Sequence, residues 1–204
     1  TTLEYTAPGT KLSLGLVDNH LWMGGTQDTQ NGVTYVANLP TEEVFTMPHK
    51  DRSNGVVKSS KPLAYGGNLI DDFVLHFKDG KVVNAKAKKN EKTLQKLLET
   101  DEGAKRLGEV ALVPYSSPIS QTGVLFLSTL FDENAASHVA LGSAYRFNVV
   151  GGTKMSDKQA EKAGVNSSLT HVDFMIGSKY MDIDGVTQAG KVEPVMRKGE
   201  RALR

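Results

Sequence analysis

An α+β domain, built on a largely antiparallel or mixed β-sheet with a few packed helices, is the fold class this sequence predicts. Three observations support it. Apolar and polar side chains alternate in short runs through the first half, as half-buried strands require. Asp79-Gly80 separates two such runs, which is a strong hairpin signal. Helical patterns are few and short. With 204 residues and no internal repeat, low-complexity block or obvious linker, a single domain is expected.

The elements follow in order. Lys11 to Leu16 and Val33 to Val36 alternate as strands do. Asp72 to Phe77 and Lys81 to Ala87 form the predicted hairpin, with Phe73, Leu75 and Phe77 on one side and Val74 and His76 on the other. Asn90 is placed to cap a helix from Glu91 to about Glu99, whose inner face carries Leu94, Leu97 and Leu98. A further helical turn or two is expected from Asp101 to Leu107. Gly108 then releases the chain into the apolar run Val110 to Val113, which Pro114 ends. Glu133 to Ala144 reads as a helix in which Ala135, Ala136, Ala140 and Gly142 permit close approach to a neighbour. Asp157 to Lys162 reads as a short helix with Ser156 as N-cap and Gly164 as stop. Ser168 to Met175 reads as a strand, and Asp184-Gly185 as a second hairpin turn. The tail from Met196 to Arg204 is basic and expected on the surface.

Composition excludes several function classes. Twenty-four Lys and Arg against 23 Asp and Glu leave a net charge of +1, which gives no reason to invoke nucleic acid or an anionic membrane. No apolar run is long enough to span a bilayer, and nothing resembles a signal peptide. The chain has no cysteine, so disulfides, thiolate metal sites and a cysteine nucleophile are all ruled out. Any metal must be held by His, Asp and Glu.

His171 and Asp173 are two apart in a predicted strand and therefore project to the same side. An imidazole and a carboxylate held side by side are two ready ligands for a divalent cation; a hydrogen-bonded structural pair is the plainer alternative. His20, His49 and His76 lie in settings that favour structural roles. His138 has a better neighbourhood. Glu133 precedes it by five residues, and Tyr145 follows it by seven, two turns on if the segment is helical. Glu109 sits between Gly108 and an apolar run, where a carboxylate is costly to bury unless a cation or an Arg pairs with it. Glu42 and Glu43 stand together at the end of a predicted strand, where one acid can bind a cation and its neighbour act as a base. Glu43, Glu109, Glu133, His138, His171 and Asp173 together exceed what one four-coordinate zinc needs. They suit a pair of divalent ions roughly 3.5–4 Å apart, joined by a bridging carboxylate. Periodicity alone does not show that these residues converge.

The segments Asn38 to Thr46, Leu107 to Ser117, Asn134 to Tyr145 and Ser168 to Gly177 resemble aminopeptidase family M29, the thermophilic metalloproteases. The resemblance runs from about Thr6 to near the C-terminus. It implies a cytoplasmic, homodimeric exopeptidase with two divalent metal ions (zinc, cobalt or manganese), acting on peptides with a free N-terminus. Through it Glu43, Glu109, Glu133, His138, His171 and Asp173 fall on the metal ligands and Tyr145 on an active-site tyrosine. Glu109 is the candidate bridging carboxylate. Glu42 as general base is an inference by analogy with other two-metal aminopeptidases. Members of the family are about twice this long, so residues 1–204 are expected to be the C-terminal metal-binding domain, without the family's N-terminal α/β domain. The expected reaction is attack on the carbonyl after the first residue by a metal-bridging hydroxide. The alternative is a non-catalytic module in which the ions only hold the fold.

Overall fold

The structure is a computed structural model that describes residues 1–39 and 41–202. Pro40, within the Asn38 to Thr46 segment, and the last two residues of the basic tail lie outside the described residues.

Among the described residues two principal sheets make the fold, and every strand pair in them is antiparallel. The larger runs from edge to edge through Lys81–Lys89, Asn68–Lys78, Pro48–Lys58, Thr10–Leu16, Thr2–Ala7, Asp182–Val186, Val192–Arg197 and Glu200–Arg201, with Leu63–Tyr65 paired beside Asn68–Lys78. The smaller runs His171–Met175, His138–Gly142, Leu107–Leu112, Val44–Thr46 and Met23–Gly24. A separate hairpin, Thr26–Asp28 with Thr34–Val36, stands apart from both. The main core gathers Leu12, Leu14, Phe73 and Leu75 of the larger sheet with Val110, Val139, Leu141 and Phe174 of the smaller one. Leu94, Leu97 and Leu98 of the helix Glu91–Leu98 pack into the same core.

Local chemistry explains most elements. Asp79 and Gly80 both take positive φ, 49° and 78°, as a two-residue hairpin loop of this twist demands. Phe73, Leu75 and Phe77 are buried while His76 is exposed, so the hairpin presents the faces its alternation predicts. Ser156 accepts from the Gln159 amide, and Gln159 reaches back to the Ser156 amide, a complete capping box for the helix Asp157–Lys162.

Several expectations are corrected. Glu133 to Ala144 is not one helix: Glu133–Ala135 forms a single 3₁₀ turn and His138–Gly142 is a strand. The small residues there open space above a sheet rather than between helices. Asn90 sits before its helix in the left-handed region, but its side chain makes no cap and donates to the Leu69 carbonyl instead. Asp184 and Gly185 lie inside the strand Asp182–Val186, paired on both sides; the turn comes after it, where the Gly190 amide bonds the Thr187 carbonyl. Met196 of the supposed surface tail is buried in a strand. The helical turns expected from Asp101 shrink to one 3₁₀ turn, Gly103–Lys105, and Gly108 lies within the Leu107–Leu112 strand.

Candidate metal centre

Three neighbouring strands of the smaller sheet build the floor of the site. His138, Ala140 and Gly142 share one face of the middle strand, while Val139 and Leu141 turn into the core with no exposure. Ala140 lies opposite Glu109 on one side and opposite Asp173 on the other. Gly142 lies opposite His171. The small side chains of the middle strand leave room above them for the large polar ones of its neighbours. Gly142 also takes φ +108°, and a Cβ there would stand 2.1 Å from the Thr170 carbonyl oxygen, so no other residue fits this backbone. Glu43 enters from the residue before the Val44–Thr46 strand, which is anchored to Leu107–Leu112.

The six sequence-predicted ligands do not all meet in the same way. Ligand atoms of Glu43, Glu109 and His138 lie within 4.8 Å of one another, and so do those of Glu109, His171 and Asp173. Glu109 belongs to both groups. Its Oε1 is 3.6 Å from Nε2 of His138, and its Oε2 is 3.7 Å from Nε2 of His171. His138 Nε2 is also 3.9 Å from Glu43 Oε1, and His171 Nε2 is 3.5 Å from Asp173 Oδ2. Glu133 lines the same cleft but joins neither group. Tyr145 lines it too, with its ring centroid 4.7 Å from that of His171. Glu42 is exposed and not among the residues lining the cleft, although its backbone carbonyl accepts from Arg201.

Both imidazoles are oriented by the backbone. His138 Nδ1 is 3.0 Å from the Ala136 carbonyl, and His171 Nδ1 is 2.7 Å from the Ser143 carbonyl. A carbonyl only accepts, so each Nδ1 carries the proton and each Nε2 faces the carboxylates, the arrangement that fixes a metal-binding histidine. By contrast, His20 spends Nδ1 on the Val17 carbonyl and His49 accepts from the Asp51 amide, both outside the cleft.

Burial is the first influence on the charges. It raises Glu43 to about 7, against the attraction of His138. It raises Glu133 to about 9, assisted by the charge of Asp173. It raises Glu109 as well, against the neighbouring His138. Burial would also raise Asp173, but the adjoining His171 and the charge of His138 hold it below its ordinary range. For the histidines burial acts downward, yet the Glu109 carboxylate and the charges of Glu43 and Asp173 bring His138 up to about 10, and Asp173 with Glu109 brings His171 to about 9. Among the described residues, His138 and His171 are the groups of opposite charge that face this crowd of acids.

The donor set fits divalent cations. His138 Nε2 and Asp173 Oδ1 are buried without a hydrogen-bond partner among the described residues, a condition that costs about 1–3 kcal/mol for each group unless something satisfies it. Among the described residues, no Lys or Arg pairs with Glu43, Glu109 or Asp173. Imidazole nitrogens and carboxylate oxygens suit zinc, cobalt and manganese, and a carboxylate aimed at two histidines at once suits a shared position between two ions. The cleft above, about 430 Å³, is open to solvent.

Sequence reasoning gave no role to two residues here. Asn38 donates to Glu133 Oε1 at 2.7 Å and accepts from the Leu39 amide, tying the cleft rim to the carboxylate. Asn134 is fully buried and donates to the carbonyls of Leu130 and Phe131. The period-two alternation of His138-Val139-Ala140-Leu141-Gly142 was the available signal for the strand.

The family model for thermophilic metalloprotease (M29) matches residues 1–200. Aminopeptidase AmpS of Bacillus subtilis is 56% identical over 201 residues, which cover 98% of this chain and 49% of that protein. Aminopeptidase T of Thermus thermophilus is 52% identical over 197 residues, 97% of this chain and 48% of that protein. The solved structure of wild-type AmpT from Thermus thermophilus superposes with a TM-score of 0.92 at 50% identity, covering 99% of this chain and 50% of that one. A 2,5-dihydroxypyridine dioxygenase from Pseudomonas putida KT2440 superposes with a TM-score of 0.62 at 12% identity, a likeness of fold alone. The chain thus spans about half the length of the relatives it matches. With residues 1–200 matched by the family model and half or more of its residues identical to those of these named aminopeptidases, the chain belongs to the thermophilic metalloprotease (M29) family.

Proposed function

We propose that this chain is the C-terminal, metal-binding domain of a two-metal aminopeptidase that removes the first residue from peptides with a free N-terminus. The observation that carries the reading is Glu109, whose two oxygens face two different histidines, each with a further carboxylate beside it. Glu43, Glu109 and His138 would hold one ion; Glu109, His171 and Asp173 would hold the other, with Glu133 completing the set beside Asp173. When bound, two such ions supply Lewis acidity toward a substrate carbonyl and lower the pKa of water.

The chain's own residues do the rest. The carbonyls of Ala136 and Ser143 keep both Nε2 atoms directed at the ligand cluster. Burial pushes the Tyr145 phenol up to about 12, so it remains protonated at neutral pH and can donate. Placed beside His171, it is suited to donate to the substrate oxygen as negative charge develops there. Glu42, exposed outside the cleft, takes no part in this reading. Zinc, cobalt and manganese all fit the donors, and a cytoplasmic homodimer is the setting the family resemblance suggests. No helix among the described residues is long and apolar enough to cross a membrane.

The half-length span keeps the metal-stabilised, non-catalytic module as the second reading. Hydrolysis of leucine p-nitroanilide by the 204-residue chain separates the two. Under the enzyme reading the metal-loaded chain turns over, chelation stops it, and Tyr145→Phe loses roughly 10²-fold in kcat with metal content and melting temperature unchanged. A chain that never turns over and simply unfolds on chelation supports the module.

A further inference from the structure

His171 is aimed by one backbone carbonyl, that of Ser143, and Ser143 comes just after the strand His138–Gly142 has ended. Its amide donates to the Thr170 carbonyl at 2.7 Å. Buried Asn166 brackets it on both sides. The Asn166 side-chain amide donates to the Gly142 carbonyl at 2.6 Å and to the Gly103 carbonyl at 2.9 Å. Its backbone carbonyl accepts from the Ala144 amide at 3.0 Å. The residue before Ser143 and the residue after it are thus tied to a single partner.

Three features place Asn166 there. The helix Asp157–Lys162 stops at Gly164, which takes φ +87°. Val165 then packs into the second core cluster with Val17, Met47 and Ala160, fixing the chain just before Asn166. Gly108 leaves the segment room: a Cβ there would stand 2.3 Å from the carbonyl oxygens of both Gly142 and Ser143. Carbonyls only accept, so the Asn166 nitrogen has to face Gly142 and Gly103, and one orientation of its amide serves both.

We infer that Asn166 is the positioning residue for the His171 half of the metal centre. By clamping Gly142 and Ala144 it sets the Ser143 carbonyl, and through that carbonyl the direction of His171 Nε2. This rests on the two-metal reading above. The effect is one-sided. His138 takes its orientation from the Ala136 carbonyl, and among the described residues no hydrogen bond of Asn166 reaches residues 136–138. Loss of Asn166 should therefore weaken the ion at Glu109, His171 and Asp173 and spare the ion at Glu43, Glu109 and His138. A residue that merely stabilised the fold would draw no such line.

The test measures Co²⁺ affinity of the 204-residue chain by calorimetry in two single-ion backgrounds. In His138→Ala, where the His171 group binds the remaining ion, adding Asn166→Ala is expected to weaken binding roughly 10–100-fold. In His171→Ala the same change leaves the affinity as it was. With histidine labelled in ¹⁵N, the Nδ1 proton of His171 in zinc-loaded Asn166→Ala should exchange faster than in wild type, while that of His138 stays protected. Asn166→Asp, which keeps the volume but replaces the donors with oxygen, carries the same comparison where the alanine variant does not fold. An equal loss in both backgrounds overturns the inference. So does an unchanged affinity in the His138→Ala background, or failure of both Asn166 variants to fold with Co²⁺ in excess, which makes Asn166 a residue of the fold alone. A wild-type chain that binds no ion contradicts the metal-centre reading itself, and the clamp with it.

Discussion

Asp173 lies directly opposite Ala140 across the smaller sheet, and a methyl group is all that stands between it and Glu109 on the far side of the same strand. That pairing brings two buried carboxylates over one small residue. It predicts that Ala140→Val, a β-compatible change, fills the space the ligands use. Metal affinity should fall at least 100-fold while far-ultraviolet circular dichroism stays that of the wild type, an overpacking cost of about 1–3 kcal/mol in the metal-free protein. Titration calorimetry with Mn²⁺ or Co²⁺ checks it; unchanged affinity would show that the space above Ala140 is not where the cations sit.

Asn38 holds Glu133 from the rim of the cleft. Loss of such an outer hydrogen bond typically costs roughly 10–100-fold in metal affinity. Asn38→Ala should weaken metal binding by that amount without lowering the melting temperature of the chelated protein, because Asn38 is outside the core clusters. The visible spectrum of the Co²⁺-loaded protein should shift as well. If both the affinity and the spectrum stay unchanged, Glu133 is not a ligand that Asn38 positions.

The titrating cluster fixes how stability depends on pH. Glu43 and Glu133 are raised by burial to about 7 and about 9, and His138 and His171, despite burial, are raised by neighbouring carboxylates to about 10 and about 9. Each folded pKa is above its unfolded value, so each contribution is present at low pH and lost as pH rises through the folded pKa. Asp173, held low, opposes this only in acid. The melting temperature of chelated protein should therefore fall between about pH 4.5 and pH 10. Divalent cations should flatten that fall, since binding them already removes the protons. A chelated protein whose melting temperature rises over this range would contradict the cluster.

Much of this was legible in the sequence where local chemistry decides. Asp79-Gly80, the Phe73-Leu75-Phe77 face and the Ser156–Gln159 box each act over a few residues and need no partner elsewhere. His171 and Asp173 share a face because a strand's period is two. The failures came where a distant partner decides. Small residues from Ala135 to Gly142 suit a close helix pair as well as the floor of a site, and only the neighbouring strands bearing Glu109 and Asp173 distinguish the two. Asp184-Gly185 has turn chemistry, but pairing with Thr2–Ala7 on one side and Val192–Arg197 on the other keeps it extended. Asn38 carries no local mark of its own; its place follows from Glu133. Convergence of Glu43 with residues more than sixty positions away was reachable only through family resemblance or coordinates.

The central claim is that Glu109 is shared between two cations, and counting metal per chain by inductively coupled plasma mass spectrometry tests it most directly. Wild type should carry two ions, His171→Ala one, and Glu109→Ala less than one, because its loss takes the shared carboxylate from both groups at once. A Glu109→Ala protein that still carries two ions would contradict the account.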